Sequence, residues 1–103
     1  MRLTWPTALV LAAIEHGHGY GFEIIDVTGL GAGTVYPILR RLEADRQVRS
    51  SWERVGRARA EGRPPRRNYR MTAAGAALVA EAHRRYPGLA RVLSAGEGSE
   101  QPA

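Results

Sequence analysis

Gly31-Ala32-Gly33-Thr34-Val35-Tyr36-Pro37-Ile38-Leu39-Arg40-Arg41-Leu42-Glu43 carries two patterns at once. Val35, Ile38, Leu39 and Leu42 recur at three- and four-residue steps, which gathers them on one side of an α-helix and leaves Thr34, Tyr36, Pro37, Arg40 and Arg41 elsewhere on its surface. A helix this short is not stable alone in water. Its apolar stripe therefore requires burial against neighbouring helices, and the arginines are then held out from a fixed platform. Arg, Thr and Tyr are among the side chains that reach phosphates and base edges. A surface helix with merely solvated arginines has the same pattern, so the flanking chain has to decide.

Immediately upstream, Gly29, Gly31 and Gly33 form a loop between two helical patterns, a turn that permits a sharp change of direction and suggests helix-turn-helix. Pro37 lacks an N–H and is comfortable only near a helix start, which sets the beginning of this helix at Ala32 to Thr34 with Thr34 as a partial cap. Further back, Thr4 caps a first helix with Trp5 and Pro6 in its opening turn, Leu9, Val10, Ala13 and Ile14 as its buried stripe and Gly17 at its end. Tyr20, Ile24 and Val27 share one side of a second short helix closed by Gly29.

Downstream of Asp45 the period changes. Val48, Ser50, Trp52 and Arg54 alternate with Arg49, Ser51, Glu53 and Val55 as in a strand, and a second strand reads at Asn68-Tyr69-Arg70-Met71. Between them Gly56 to Pro65, with Arg57, Arg59, Arg63 and the Pro64-Pro65 pair, reads as a long, mobile, basic hairpin loop. Thr72 then caps a further helix from Ala73 to about Arg85, with Leu78, Val79 and Ala82 available for packing. Pro87-Gly88 interrupts it, and Leu89 to Leu93 allows another turn or two. The predicted fold class is mainly α with a small β-hairpin. Its order of three helices, a two-stranded wing and a C-terminal helix is that of a winged helix-turn-helix, in which the third helix enters the DNA major groove and the wing follows phosphates or the minor groove.

The 103 residues suit one small domain with a modest core. Cysteine is absent, which removes disulfides and thiolate metal sites. No signal-like segment is visible at the N-terminus, and the longest apolar run, Ala8 to Ile14, is too short to span a bilayer, so a cytoplasmic location is expected. The net charge of +5 is unevenly placed. Residues 40 to 70 hold eleven of the fifteen arginines against four carboxylates, a local balance of +7, and the rest of the chain is −2. Such a block is the footprint of a polyanion-binding surface, with a membrane surface or an acidic protein as the competing partners.

For catalysis the chain has no Cys nucleophile, no Gly-x-Ser-x-Gly elbow and no phosphate-binding Gly-Lys-Ser/Thr loop, and an enzyme is not expected. His16 and His18 flank Gly17 without an evident third ligand, so neither a metal site nor a cofactor is expected. Trp5, Trp52, Phe22 and Tyr86 suit either the walls of a pocket for a planar small-molecule effector or core and dimer packing, and packing is the simpler role.

The chain resembles the PadR-type transcriptional regulators over residues 8 to about 82. The resemblance rests on His18-Gly19-Tyr20, on Gly33-Thr34-Val35-Tyr36-Pro37-Ile38-Leu39-Arg40-Arg41-Leu42-Glu43, on Trp52-Glu53, and on Arg66-Arg67-Asn68-Tyr69-Arg70-Met71-Thr72-Ala73-Ala74-Gly75. It implies a homodimeric repressor with its third helix and wing on double-stranded operator DNA and its C-terminal helix in the dimer interface. The expected division is a DNA-binding winged helix over 1–72, a dimerisation segment over 73–94 and a disordered tail over 95–103. The expected DNA contacts are Thr34, Tyr36, Pro37, Arg40 and Arg41 on the helix and Arg57, Arg63, Arg66 and Arg67 in the wing, and Leu78, Val79 and Leu89 are expected across the two-fold interface. Arg46 stands where the family prefers glycine after this helix, so a left-handed arginine is expected there. The alternative of a different class is a winged-helix module whose basic face serves protein interaction or sensing.

Overall fold

Thr4 starts the first helix, its hydroxyl accepting the Thr7 N–H at 3.4 Å ahead of α1, Trp5–Glu15. The computed structural model describes residues 3–93. Every residue from Thr7 to Ile14 is buried, so α1 is wrapped on all sides instead of presenting the single stripe its sequence suggested. Around it lie α2 (Gly21–Thr28), α3 (Ala32–Ala44) and α5 (Ala73–Arg85), while β1 (Val48–Trp52) and β2 (Arg67–Met71) form an antiparallel hairpin and α4 (Val55–Ala60) occupies its tip. The fold is thus mainly helical with a two-stranded hairpin, a winged helix.

Val35, Ile38, Leu39 and Leu42 are the buried residues of α3, as their spacing requires. Its start differs from expectation in one detail. Gly31 is the cap residue and no side chain caps the helix, so Thr34 is a surface residue and Pro37 sits inside the first two turns. The end is closed by the Arg46 N–H on the Glu43 carbonyl at 3.0 Å and the Gln47 N–H on the Leu42 carbonyl at 2.8 Å, the paired bonds of a Schellman motif. Arg46 occupies the left-handed position at φ 60°, the only described non-glycine residue with positive φ. Arg46→Gly is therefore expected to raise the unfolding free energy by up to about 1 kcal/mol in denaturant melts, since glycine adopts this conformation freely. A destabilised variant would show that the Arg46 side chain supports the corner in its own right.

The hairpin pairs Val48 with Met71, Ser50 with Tyr69 and Trp52 with Arg67. A bridge from Tyr20 to Asn68 and a 2.7 Å bond from the Tyr69 N–H to the Gly19 carbonyl tie β2 to the turn before α2. The segment expected as a mobile loop is ordered differently: Val55–Ala60 is helical, with Ala58 buried. Glu53 and Arg63 clamp its two ends through bonds of 2.5 and 2.7 Å, Arg63 also reaches Glu61 at 3.1 Å, and Glu53 accepts the Arg66 N–H at 3.3 Å.

Thr72 caps α5, accepting the Gly75 N–H at 3.2 Å and donating to the Arg46 carbonyl at 2.7 Å. Chain 87–88 turns, and residues 89–93 are helical again. Two of the three residues expected across a dimer interface are used inside the chain itself. Val79 is 3% exposed and Leu89 fully buried, both in the core with α1, whereas Leu78 is half-buried at its margin. The core continues from Leu3 to Leu93 across the expected boundary at residue 72. The tail expected over 95–103 lies outside the described residues.

Candidate nucleic-acid interface

Burial of Val35, Ile38, Leu39 and Leu42 turns Gly33, Thr34, Pro37, Arg40 and Arg41 outward along α3. Arg40 and Arg41 are exposed and make no side-chain hydrogen bond or ion pair among the described residues. The uncapped start of the helix leaves its first N–H groups to water or to an approaching anion. Tyr36 leans the other way, against the first residue of α2. A Cβ on Gly21 would lie 2.6 Å from the Tyr36 ring, so only glycine permits this contact, and the tyrosine remains 40% exposed.

The hairpin stands beside the same flank of α3. Ser50 donates its hydroxyl to the Glu43 carboxylate, Arg67 Nε donates to Ser50 Oγ at 2.9 Å, and the Arg67 guanidinium lies 3.7 Å from Glu43 and 5.5 Å from the centre of the Trp52 ring. Arg66 lies over Phe22 at 4.5 Å and near Tyr20 at 5.9 Å, with those two rings stacked at 5.8 Å. Tyr20, Gly21, Phe22, Tyr36, Arg66, Arg67 and Tyr69 thereby line a hollow of about 250 Å³ between α2, α3 and β2. Burial pushes the Tyr69 phenol up from its ordinary value.

The expected wing contacts separate into two groups. Arg57 is exposed, with Glu61 at 3.6 Å, and Arg66 and Arg67 are oriented by aromatic rings while keeping exposed edges. Arg63 is different: its side chain is only 16% exposed and is spent on Glu53 and Glu61, so it is a strut of the wing tip and not a hand held out to phosphate. Arg54 and Arg59, which the site expectations omitted, are exposed on the tip. Hydrogen bonding from Arg63 holds the Glu53 carboxyl down at about 2. A depressed carboxyl stabilises the folded tip above its unfolded value near 4.5 and loses that contribution as pH falls toward 2. Amide exchange at Gly62 and Arg63 is therefore expected to accelerate relative to β1 across this window, and Glu53→Gln to abolish the pH dependence. Protection unchanged down to pH 2 would contradict the clamp.

The four aromatics that suited one effector pocket do not gather at a single place. Trp5 packs edge-on against Tyr86 at 5.3 Å, Phe22 belongs to the hollow and Trp52 to the hairpin. Among the described residues no group of three or more His, Asp or Glu is arranged to hold a metal ion, and no helix is long and apolar enough to cross a membrane.

The model of the transcriptional regulator PadR-like family matches residues 10–81, more than half of the chain. The chain belongs to this family. The PadR-like chain also shares its fold with solved structures. A PadR family transcription regulator from Clostridium difficile is 21% identical, with a TM-score of 0.69 over 88% of this chain and 96% of that one. A Streptococcus transcriptional regulator is 21% identical, with a TM-score of 0.64 over 92% and 91%. Bordetella bronchiseptica BpsR, whose DNA binding is regulated by 6-hydroxynicotinic acid, is 22% identical, with a TM-score of 0.64 over 97% and 69%. At these identities the likeness is one of fold. No curated protein matches the PadR-like chain.

Proposed function

We propose that the chain is a sequence-specific, double-stranded-DNA-binding repressor of transcription that acts as a homodimer in the cytoplasm. The observation that carries this function is the pair Arg40 and Arg41, exposed on the outer side of α3 beside a hairpin braced to that helix through Glu43, Ser50 and Arg67. Helix α3 enters the major groove, where Arg40, Arg41 and Thr34 approach bases or adjacent phosphates, and Pro37 and Tyr36 shape the contact. Arg57, Arg66 and Arg67, with Arg54 and Arg59, set the register on the backbone. Electrophoretic mobility of the chain's own upstream DNA tests this against an unrelated duplex. A shift for the upstream duplex that survives competitor DNA is expected. Equal, competitor-sensitive shifts for both would remove sequence specificity, and none at low salt would leave the basic face to a protein partner.

The two copies meet, on this proposal, where α1 begins and the last described turn ends. Trp5, packed edge-on against Tyr86, is 38% exposed and Val92 46%, and these take the place of the buried Val79 and Leu89. An exposed apolar end of this kind favours a self-complementary two-fold contact. Val92→Glu is expected to convert a sedimenting dimer to a monomer with unchanged helix content. A monomeric unmodified protein at high concentration would contradict the dimer.

A further inference from the structure

We propose that Trp52 is a further DNA contact, which together with Arg67 grips the sugar–phosphate strand running between the groove entered by α3 and the groove followed by the wing. The inference rests on the DNA-binding function proposed above.

Trp52 is 67% exposed, the highest value among the exposed large apolar residues described. An indole carries a large apolar surface and a single N–H donor, so it gains free energy from a partner that covers its face and accepts one hydrogen bond. Its position is fixed by strand alternation. Val48, Ser50 and Trp52 share one face of β1, with Met71, Tyr69 and Arg67 opposite them on β2. The bond from Ser50 to Glu43 shows that this face looks at α3. Val48 and Met71 therefore lie at the core end, Ser50 and Tyr69 beside α3, and Trp52 and Arg67 one pair further out, overhanging the corner between helix and hairpin.

The corner has a definite chemistry. Arg67 sits over the indole at 5.5 Å, is anchored by Ser50 and Glu43, and keeps its side chain 46% exposed. A delocalised cation laid on an aromatic plate offers an anionic group a planar set of donors and an adjoining apolar group a flat surface. Phosphate and deoxyribose alternate in that way along a duplex strand. The bases are stacked and turned inward, so the plate meets sugar and not base. Arg40, exposed on α3 three residues before Glu43 and close enough to act electrostatically on Tyr69, extends the positive surface of this corner along the helix and selects nucleic acid over an acidic peptide.

The chain has two tryptophans, so Trp5→Phe, which keeps an aromatic ring at the proposed contact between copies, leaves Trp52 as the sole indole reporter, and the unaltered chain is titrated beside it to show that duplex affinity is kept. Its emission and acrylamide quenching are followed as a short mixed-sequence duplex is added, with anisotropy of the labelled duplex reporting binding in parallel. Trp52 is expected to become protected in step with binding. In the unreduced chain, Trp52→Ala is expected to weaken duplex affinity about tenfold with an unchanged salt slope, because no charge is lost. Arg67→Ala is expected to lower the slope by about one, and Trp52→Phe to keep most of the affinity. Bound duplex with Trp52 still fully quenchable would overturn the inference and leave DNA binding standing. Protection that rises with protein concentration in the absence of DNA would overturn it in favour of a contact between copies. No anisotropy change at low salt with the unaltered chain would overturn it together with the function beneath it.

Discussion

Gly75→Ala is expected to lower the unfolding free energy by about 3 kcal/mol, although the same change at an exposed helical site stabilises by about 1 kcal/mol. Gly75 is buried in the first turn of α5, and a Cβ there would stand 2.0 Å from the Gln47 carbonyl oxygen and 2.8 Å from Met71 Cγ. The carbonyl cannot simply step aside, because it accepts the Thr72 N–H at 3.1 Å at the junction that also carries the left-handed Arg46. Relief therefore requires α5 to move off the corner between α3 and β1, which would also alter the angle between the helix and the wing. Denaturant melts measure the loss. A Gly75→Ala protein as stable as its parent would mean that α5 does not sit against Gln47.

The second large effect falls on binding. Arg40→Ala and Arg41→Ala are each expected to weaken operator affinity by roughly 1 to 3 kcal/mol, and the double variant by approximately their sum if each makes its own contact. Both side chains are exposed, so unfolding should change by no more than about 0.5 kcal/mol. Specificity separates the two from wing residues. A change on α3 that removes a base contact lowers discrimination between operator and unrelated DNA, whereas loss of Arg57 weakens all duplexes alike and flattens the salt dependence. Unchanged affinity in a correctly folded double variant would remove α3 from the groove.

Where local sequence determines local structure, the chain was legible. The spacing of Val35, Ile38, Leu39 and Leu42 placed α3 and its outward arginines, Thr72 read as the cap it is, and the missing glycine at residue 46 pointed to a strained left-handed arginine that the backbone contains. What remained hidden depends on partners distant in sequence. Helix α4 buries only Ala58, which leaves no periodic signal, and its ends are fastened by Glu53 and Arg63, a pairing that composition does not reveal. The same pairing turned Arg63 from an expected phosphate contact into a strut. Val79 and Leu89 are apolar on a terminal segment, a pattern equally suited to a partner's surface or to α1, and the fold gives them to α1. Alternation already placed Ser50 and Trp52 on one strand face, but only the bond to Glu43 tells which way that face looks.

The absence of cysteine makes the placement of α3 on DNA directly measurable. Thr34→Cys, exposed at the start of α3, and Ala77→Cys, exposed on α5, each give one attachment point for a DNA-cleaving chelate. On upstream duplex bound by the protein, the chelate at residue 34 is expected to cut a few adjacent nucleotides at fixed positions within the protected region, and the chelate at residue 77 to leave that region intact. Localised cutting from residue 77 with none from residue 34 would contradict α3 as the element that reads DNA.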